Sequence, residues 1–157
     1  MDSRRRRGVL VALTLPAMLL AWTFPAASQG SEVGRVKVSL GAVWIERAGS
    51  RLPAPVGTVV READVVVTGP DGAVGITFAD DGRLSVGPDS TLAIDRFAFD
   101  PTTHQGGFDS SLRKGTLAVV SGKLARQSPD AMTVKTPAAI LGVRGTRFLV
   151  RTAGATP

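Results

Sequence analysis

A chain of 157 residues, 43% of them hydrophobic, has room for one domain with an adequate core and needs no second. Its formal net charge of +6 falls to +3 once the leader residues Asp2 and Arg4 to Arg7 are set aside, leaving 15 Lys and Arg against 12 Asp and Glu, so the high isoelectric point does not argue for a nucleic acid partner. The absence of cysteine excludes a disulfide framework, a thiolate zinc site, a cysteine nucleophile and a lipid-modified N-terminal cysteine; a single histidine and no tyrosine leave a thin catalytic inventory.

Residues 1–28 read as an export signal, with a basic start at Arg4 to Arg7, an apolar run from Val9 to Phe24, then Pro25 and the small residues Ala26, Ala27 and Ser28. Cleavage is expected between Ser28 and Gln29. An uncleaved signal anchor is the alternative, because the apolar run is near the lower limit for spanning a bilayer, although Pro16 and Pro25 favour the signal. In both cases the leading charge places the rest of the chain outside the cytoplasm, periplasmic or extracellular, and a membrane is met only through this segment if it stays uncleaved. Sec and twin-arginine export both stay open, since Arg6-Arg7 is preceded by Arg5 rather than by Ser or Thr. Residues 29–33 then form a linker.

From Val33 to Arg47 the pattern predicts two strands, with Val36, Val38 and Leu40 on one face and Arg35, Lys37 and Ser39 on the other, kinked at Gly41. Trp44 is expected to pack in the core or at an edge, and its functional reading is a stacking platform for a sugar ring. Leu52 to Gly57 carries two prolines and reads as a loop. Thr58 to Thr68 reads as a strand pair around an exposed turn or edge at Glu62, Ala63 and Asp64.

Val65 to Ile94 sets the rhythm of the chain. Val74, Ile76 and Phe78 alternate with Gly75 and Thr77, and Leu84 with Val86 and Leu92 with Ile94 repeat the beat. Turn residues interrupt it at Gly69 to Gly72, Asp80 to Gly82 and Gly87 to Ser90, a spacing that suits a meander, a sandwich or the rungs of a small solenoid. Asp100 to Phe108 reads as loop, with His104 solvated in it. Leu112 to Ser121 is a further strand, starting at Gly115 and turning Leu117 and Val119 inward, and Ser121 to Asp130 is polar. Met132, Val134 and Thr136 resume the alternation. Thr136 to Gly142 fits either a single helical turn or an extended corner. The last strand, Thr146 to Thr152, sets Phe148 and Val150 against Arg147, Leu149 and Arg151, which with Arg144 make a basic stripe. That stripe is expected to be a solvated face that discourages edge pairing, and its functional reading is an anion contact. Residues 153–157 form a tail.

Three segments together resemble the FecR-type domain, a module of bacterial envelope and signalling proteins. Val56-Gly57 through Asp64 to Thr68-Gly69 is similar to its glycine, aspartate and closing Thr-Gly; Phe78 to Leu92 is similar to its strand, aspartate-glycine turn, strand and Gly-Pro-Asp-Ser turn; Thr136 to Phe148 is similar to its Thr-Pro and Val-Arg-Gly-Thr pattern. The positions that carry the resemblance are Asp64, Thr68, Gly69, Asp81, Gly82, Gly87, Ser90, Thr136, Pro137, Gly142, Arg144, Gly145, Thr146 and Phe148. They read as architecture, with Asp81 and Ser90 capping turn amides and Phe148 entering the core. The resemblance spans roughly residues 34–151, within a β domain expected over 34–152, and implies a periplasmic module. FecR-like iron-uptake regulators also carry a cytoplasmic anti-sigma segment, which is expected to be missing here, since the apolar run follows Met1 almost directly.

The expectation is therefore an all-β single domain, β-solenoid-like or a β-sandwich, the resemblance favouring the solenoid-like form. No catalytic, cofactor-binding or metal-binding residue is expected; the turn carboxylates Asp71, Asp80, Asp81 and Asp89 lack calcium-loop spacing. The expected function is a non-enzymatic exported binding or scaffold module whose partner is an envelope protein or cell-wall component, with Trp44, Arg147 and Arg151 as candidate surface contacts. The alternative is a periplasmic signal-transduction component that relays to a separate membrane protein. A carbohydrate-active role is disfavoured by the scarcity of aromatic faces.

Overall fold

A computed structural model describes residues 31–128, 130–143 and 147–153. The export signal with its Ser28-Gln29 junction, the stretch Arg144, Gly145 and Thr146, and the end of the tail lie outside the described residues. The fold is all-β. Among the described residues twelve strands form one continuous sheet: β1 (Glu32–Leu40), β2 (Val43–Arg47), β3 (Ser50–Pro53), β4 (Val59–Arg61), β5 (Val65–Thr68), β6 (Ala73–Phe78), β7 (Arg83–Val86), β8 (Thr91–Phe99), β9 (Gly106–Val120), β10 (Met132–Lys135), β11 (Ile140–Gly142) and β12 (Arg147–Thr152), with one short helix, α1 (Lys123–Gln127).

The sheet is curled so that its halves face each other across one core. The hydrogen-bonded order is β3-β2-β5-β8-β9-β7-β6-β1-β4, with β10, β11 and β12 attached through β9. Strand β9 belongs to both halves. Its first part pairs with β8 and, in parallel, with β10; its second part, from Gly115 on, lies between β7 and β12. Every other pairing is antiparallel, so the strands are not stacked as parallel solenoid rungs. Val36, Ile76 and Leu117 from one half meet Ile45, Val66, Leu92 and Leu112 from the other. Phe78, Phe97 and Phe108 tie the halves together in a ring cluster, with centroids 4.8 to 5.5 Å apart.

Most turns of Val65 to Ile94 turn out to be crossings between halves. Strands β6 and β7 do pair as a hairpin, but β5 pairs with β2 and β8, and β7 pairs with β9. The stretch is therefore not a meander. The chain crosses at residues 41–42, 69–72 and 87–90, and these crossings are bonded to one another: Gly69 N–H donates to Ala42 C=O, and Asp89 N–H to Gly69 C=O. Gly41 takes φ +58 there, where a Cβ would sit 2.2 Å from the Asp71 carbonyl oxygen.

Several expectations change for local physical reasons. A β-bulge at Lys37 breaks the period of β1: Val36 pairs with Ile76 and Val38 with Gly75, so Val36 is buried while Val38 and Leu40 are 49% and 61% exposed. Leu52 and Pro53 belong to β3, an edge strand, where a proline is tolerated. Strands β4 and β5 do not pair with each other. The segment around His104 shrinks to the turn between β8 and β9, because Phe99 pairs with Gly106; His104 has φ 58 and stacks on Phe99. Gly115 bends a 15-residue strand rather than starting one. The polar stretch after Ser121 contains α1, held by buried Leu124. Thr136 to Gly142 is a hairpin turn followed by β11, with Thr136 N–H donating to Ala139 C=O, so it is not a helical turn.

Candidate functional site

The positions that carry the family resemblance build the corners of the sheet. Thr68 Oγ donates to Gly87 C=O at 2.7 Å and accepts the Ser90 N–H at 2.9 Å, so one hydroxyl joins two crossings. Ser90 Oγ donates to Pro88 C=O and accepts the Thr116 N–H, both at 3.0 Å, which fixes β9 just past its bend. Gly115 lies against Ser90 with φ +97. Both hydroxyl residues are buried, and a hydroxyl that satisfies buried amides adds stability and leaves no reactive group exposed.

The acidic positions are structural as well. Asp64 was expected in an exposed turn; instead it is fully buried and bound by both arms of Arg47. The amide-capping role expected of Asp81 belongs to Asp80, whose carboxylate accepts the Gly82 N–H at 2.9 Å in the buried space that Gly122 leaves open. Asp81 points outward to Lys123 at 2.8 Å, and that cation lowers its carboxyl below the ordinary range. Asp100 caps the next turn, accepting the Thr102 and Thr103 N–H groups, which lower its carboxyl likewise. Among the described residues no group of three or more His, Asp and Glu is arranged to hold a metal ion.

The surface residues are dispersed. Trp44 carries the Arg51 guanidinium over its ring at 4.2 Å, on the paired strands β2 and β3. Arg147 and Arg151 lie exposed on β12, opposite Val120 and Thr116 respectively, and Phe148 packs against the core. The structure does not bring Trp44 together with the β12 arginines.

What the sequence reading missed is a cleft at the bend of β9. Thr91 pairs with Lys114 and Leu92 with Leu112, so Arg113 is the extra residue of a β-bulge. The bulge and Gly115 together turn Arg113 and Lys114 outward in succession, where a regular strand would bury one of them. Lys135, at the end of β10, pairs with Ser111 beside them. These three cations, with Leu112, Thr136 and Pro137, line a cavity of about 550 Å³. A second cavity of about 680 Å³ adjoins it through Lys114 and is lined also by Arg151, Thr152 and Asp89. Arg113, Lys114, Lys135 and Arg151 form no ion pair among the described residues, in contrast to Arg35, Arg47, Arg51 and Lys123. The sequence signal was the adjacent pair Arg113-Lys114 interrupting a period-2 run just before a glycine.

No helix among the described residues is long and apolar enough to cross a membrane. No curated protein and no solved structure matches the chain. The family model described as "FecR protein" matches residues 64–157, starting at the buried Asp64 and taking in the corner residues Thr68, Gly87 and Ser90, the bend at Gly115 and the hairpin turn at Thr136 and Pro137. The chain belongs to the FecR family.

Proposed function

We propose that the chain is an exported, non-enzymatic binding module of the bacterial cell envelope, recognising its partner through the surface at the bend of β9. The observation that carries this reading is the contrast in how charge is used. Asp64, Asp80, Asp81 and Asp100 are each engaged with backbone amides or a cation, whereas the four cations at the β9 bend form no ion pair among the described residues and line two adjoining cavities. Paired carboxylates at turns supply register; unpaired cations in a concavity are available to a ligand.

Family membership favours a second reading, in which the module is the periplasmic part of a regulatory system and relays its bound state to a separate membrane protein. Both readings are tested by capturing partners on the tagged full chain from envelope extracts after chemical crosslinking. Recovery of a receptor or sensor kinase supports the relay, recovery of cell-wall material supports a wall-bound scaffold, and recovery of neither overturns the binding reading. Turnover of a glycan that disappears in Asp80→Asn or Asp81→Asn would overturn the non-enzymatic reading.

A further inference from the structure

The two cavities at the β9 bend share Lys114, so they form one track. It starts at Lys135 and Pro137, passes Arg113 and Lys114, and ends at Arg151. The cations come from three strands: β9 supplies two, β10 one and β12 one. Bulge, bend and pairing register all converge on this line, since Lys135 is set by its parallel partner Ser111 and Arg151 by its antiparallel partner Thr116. A single phosphate is much smaller than either cavity, of about 550 and 680 Å³, and meets only the cations nearest to it. A ligand that meets all four cations is extended and carries several negative charges along its length. Pro137 and the lysine and arginine stems provide apolar contact between the charges. No aromatic face lines either cavity, so the track lacks the stacking platform on which sugar rings are usually held. Asp89 at the second cavity disfavours a uniform polyanion at that end.

Given the binding role proposed above, we infer that this track binds an extended acidic segment of a partner protein, with carboxylates spaced along the peptide and small or apolar residues between them. Arg113 and Lys114 anchor its centre. Lys135 and Arg151 fix its two ends, and the Thr136-Pro137 turn forms one wall.

The test is a titration of the full chain with a labelled peptide of about ten residues alternating Glu and Ala, long enough when extended to pass beyond one cavity. A Lys-Ala peptide, pyrophosphate and anionic phospholipid vesicles serve as the comparison probes. The expected result is saturable binding of the Glu-Ala peptide that weakens with added salt and falls at least about tenfold in the double variant Arg113→Glu, Lys114→Glu. The exposed Arg83→Glu on β7 should leave it unchanged. Pyrophosphate or vesicles binding as tightly as the peptide would assign the cations to a phosphate group and overturn the proposal, as would unchanged binding in the double variant. Partner capture separates this inference from the reading beneath it. A double variant that still captures the partner of the native chain defeats the acidic-segment proposal and leaves the binding module standing; a native chain that captures nothing defeats the module reading, while the peptide titration still reports on the track.

Discussion

Arg47 grips Asp64 with two parallel hydrogen bonds, Nε to Oδ1 and Nη2 to Oδ2, each 2.7 Å, and the carboxylate side chain retains 1% of its accessible surface. The Arg61 N–H adds a third bond at 2.8 Å, and Arg47 Nη2 also reaches Val59 C=O. One carboxylate thus holds the end of β2, strand β4 and the start of β5 in one place. Asp64→Ala leaves the guanidinium without its counter-charge and removes the carboxylate that accepts the Arg61 N–H, and Arg47→Ala leaves a buried charge without its cation. Either should cost about 3–5 kcal/mol in urea unfolding, because breaking one side of a buried pair forfeits its compensation for desolvation. A loss below about 1 kcal/mol in Asp64→Ala would show that the pair has little structural weight.

Thr68 and Ser90 make the same kind of link with neutral groups. Thr68→Val keeps the volume but removes the acceptor of the Ser90 N–H and the donor to Gly87 C=O. The expected loss is about 1–3 kcal/mol, the cost of a buried amide left without a partner. Thr68→Ser, which retains the hydroxyl, should recover most of it. Equal losses in the two variants would mean that the methyl group matters and the hydrogen bonds do not.

The sequence made some of this readable and hid the rest for identifiable reasons. The alternation of Val74, Ile76 and Phe78 predicts their burial because β6 is regular throughout. The same rule fails at Val38 and Leu40, since a bulge at Lys37 shifts the face and leaves no mark on residue type. Asp64 looks like a solvated turn residue until Arg47, 17 positions earlier, is placed beside it. The breaks at Gly69 and Gly87 are visible locally, but only long-range pairing shows that they carry the chain between sheet halves. The cleft was the least legible feature, because its cations come from strands far apart in sequence and joined through β9.

The hairpin between β2 and β3 offers a stabilising change. Its two-residue loop, Ala48-Gly49, has φ 48 and φ 79, the all-positive pattern of a type I′ turn, and both residues are exposed. Alanine bears a steric penalty there that asparagine largely avoids. Ala48→Asn should raise stability by about 0.5–1 kcal/mol, read as a higher melting temperature. A lower melting temperature would contradict the assigned turn.

Lys123 and Asp81 give a pH-dependent contact at the surface. Hydrogen bonding and attraction to Lys123 lower the folded carboxyl below its ordinary value of 3.8, with Arg126 adding a smaller pull in the same direction. The contribution is therefore present above that ordinary value and is lost as pH falls through the lower folded one. Both groups are exposed, so salt screens the pair. NMR titration of the Asp81 carboxyl carbon should give a midpoint that moves upward in Lys123→Ala and in the native chain at high salt. A midpoint indifferent to both changes would remove the pairing as its cause.

Gly115 and Gly142 separate glycine needed by the backbone from glycine that is only present. At Gly115 φ is +97, and an added Cβ would lie 2.0 Å from Ser90 Oγ and 2.5 Å from Ser90 Cα. The second contact is with backbone, so no side-chain rotation relieves it. Gly115→Ala should cost about 2–4 kcal/mol, combining a left-handed conformation with overpacking. Because the bend presents Arg113 and Lys114, folded Gly115→Ala should also bind the Glu-Ala peptide less well. Gly142, on the exposed edge strand β11, has nothing within 4 Å of an added Cβ and no positive φ. Gly142→Ala should change stability by less than about 0.5 kcal/mol. Comparable losses at the two positions would mean that the chain does not turn at Gly115, and the reason for Arg113 and Lys114 both facing the cleft would fall with it.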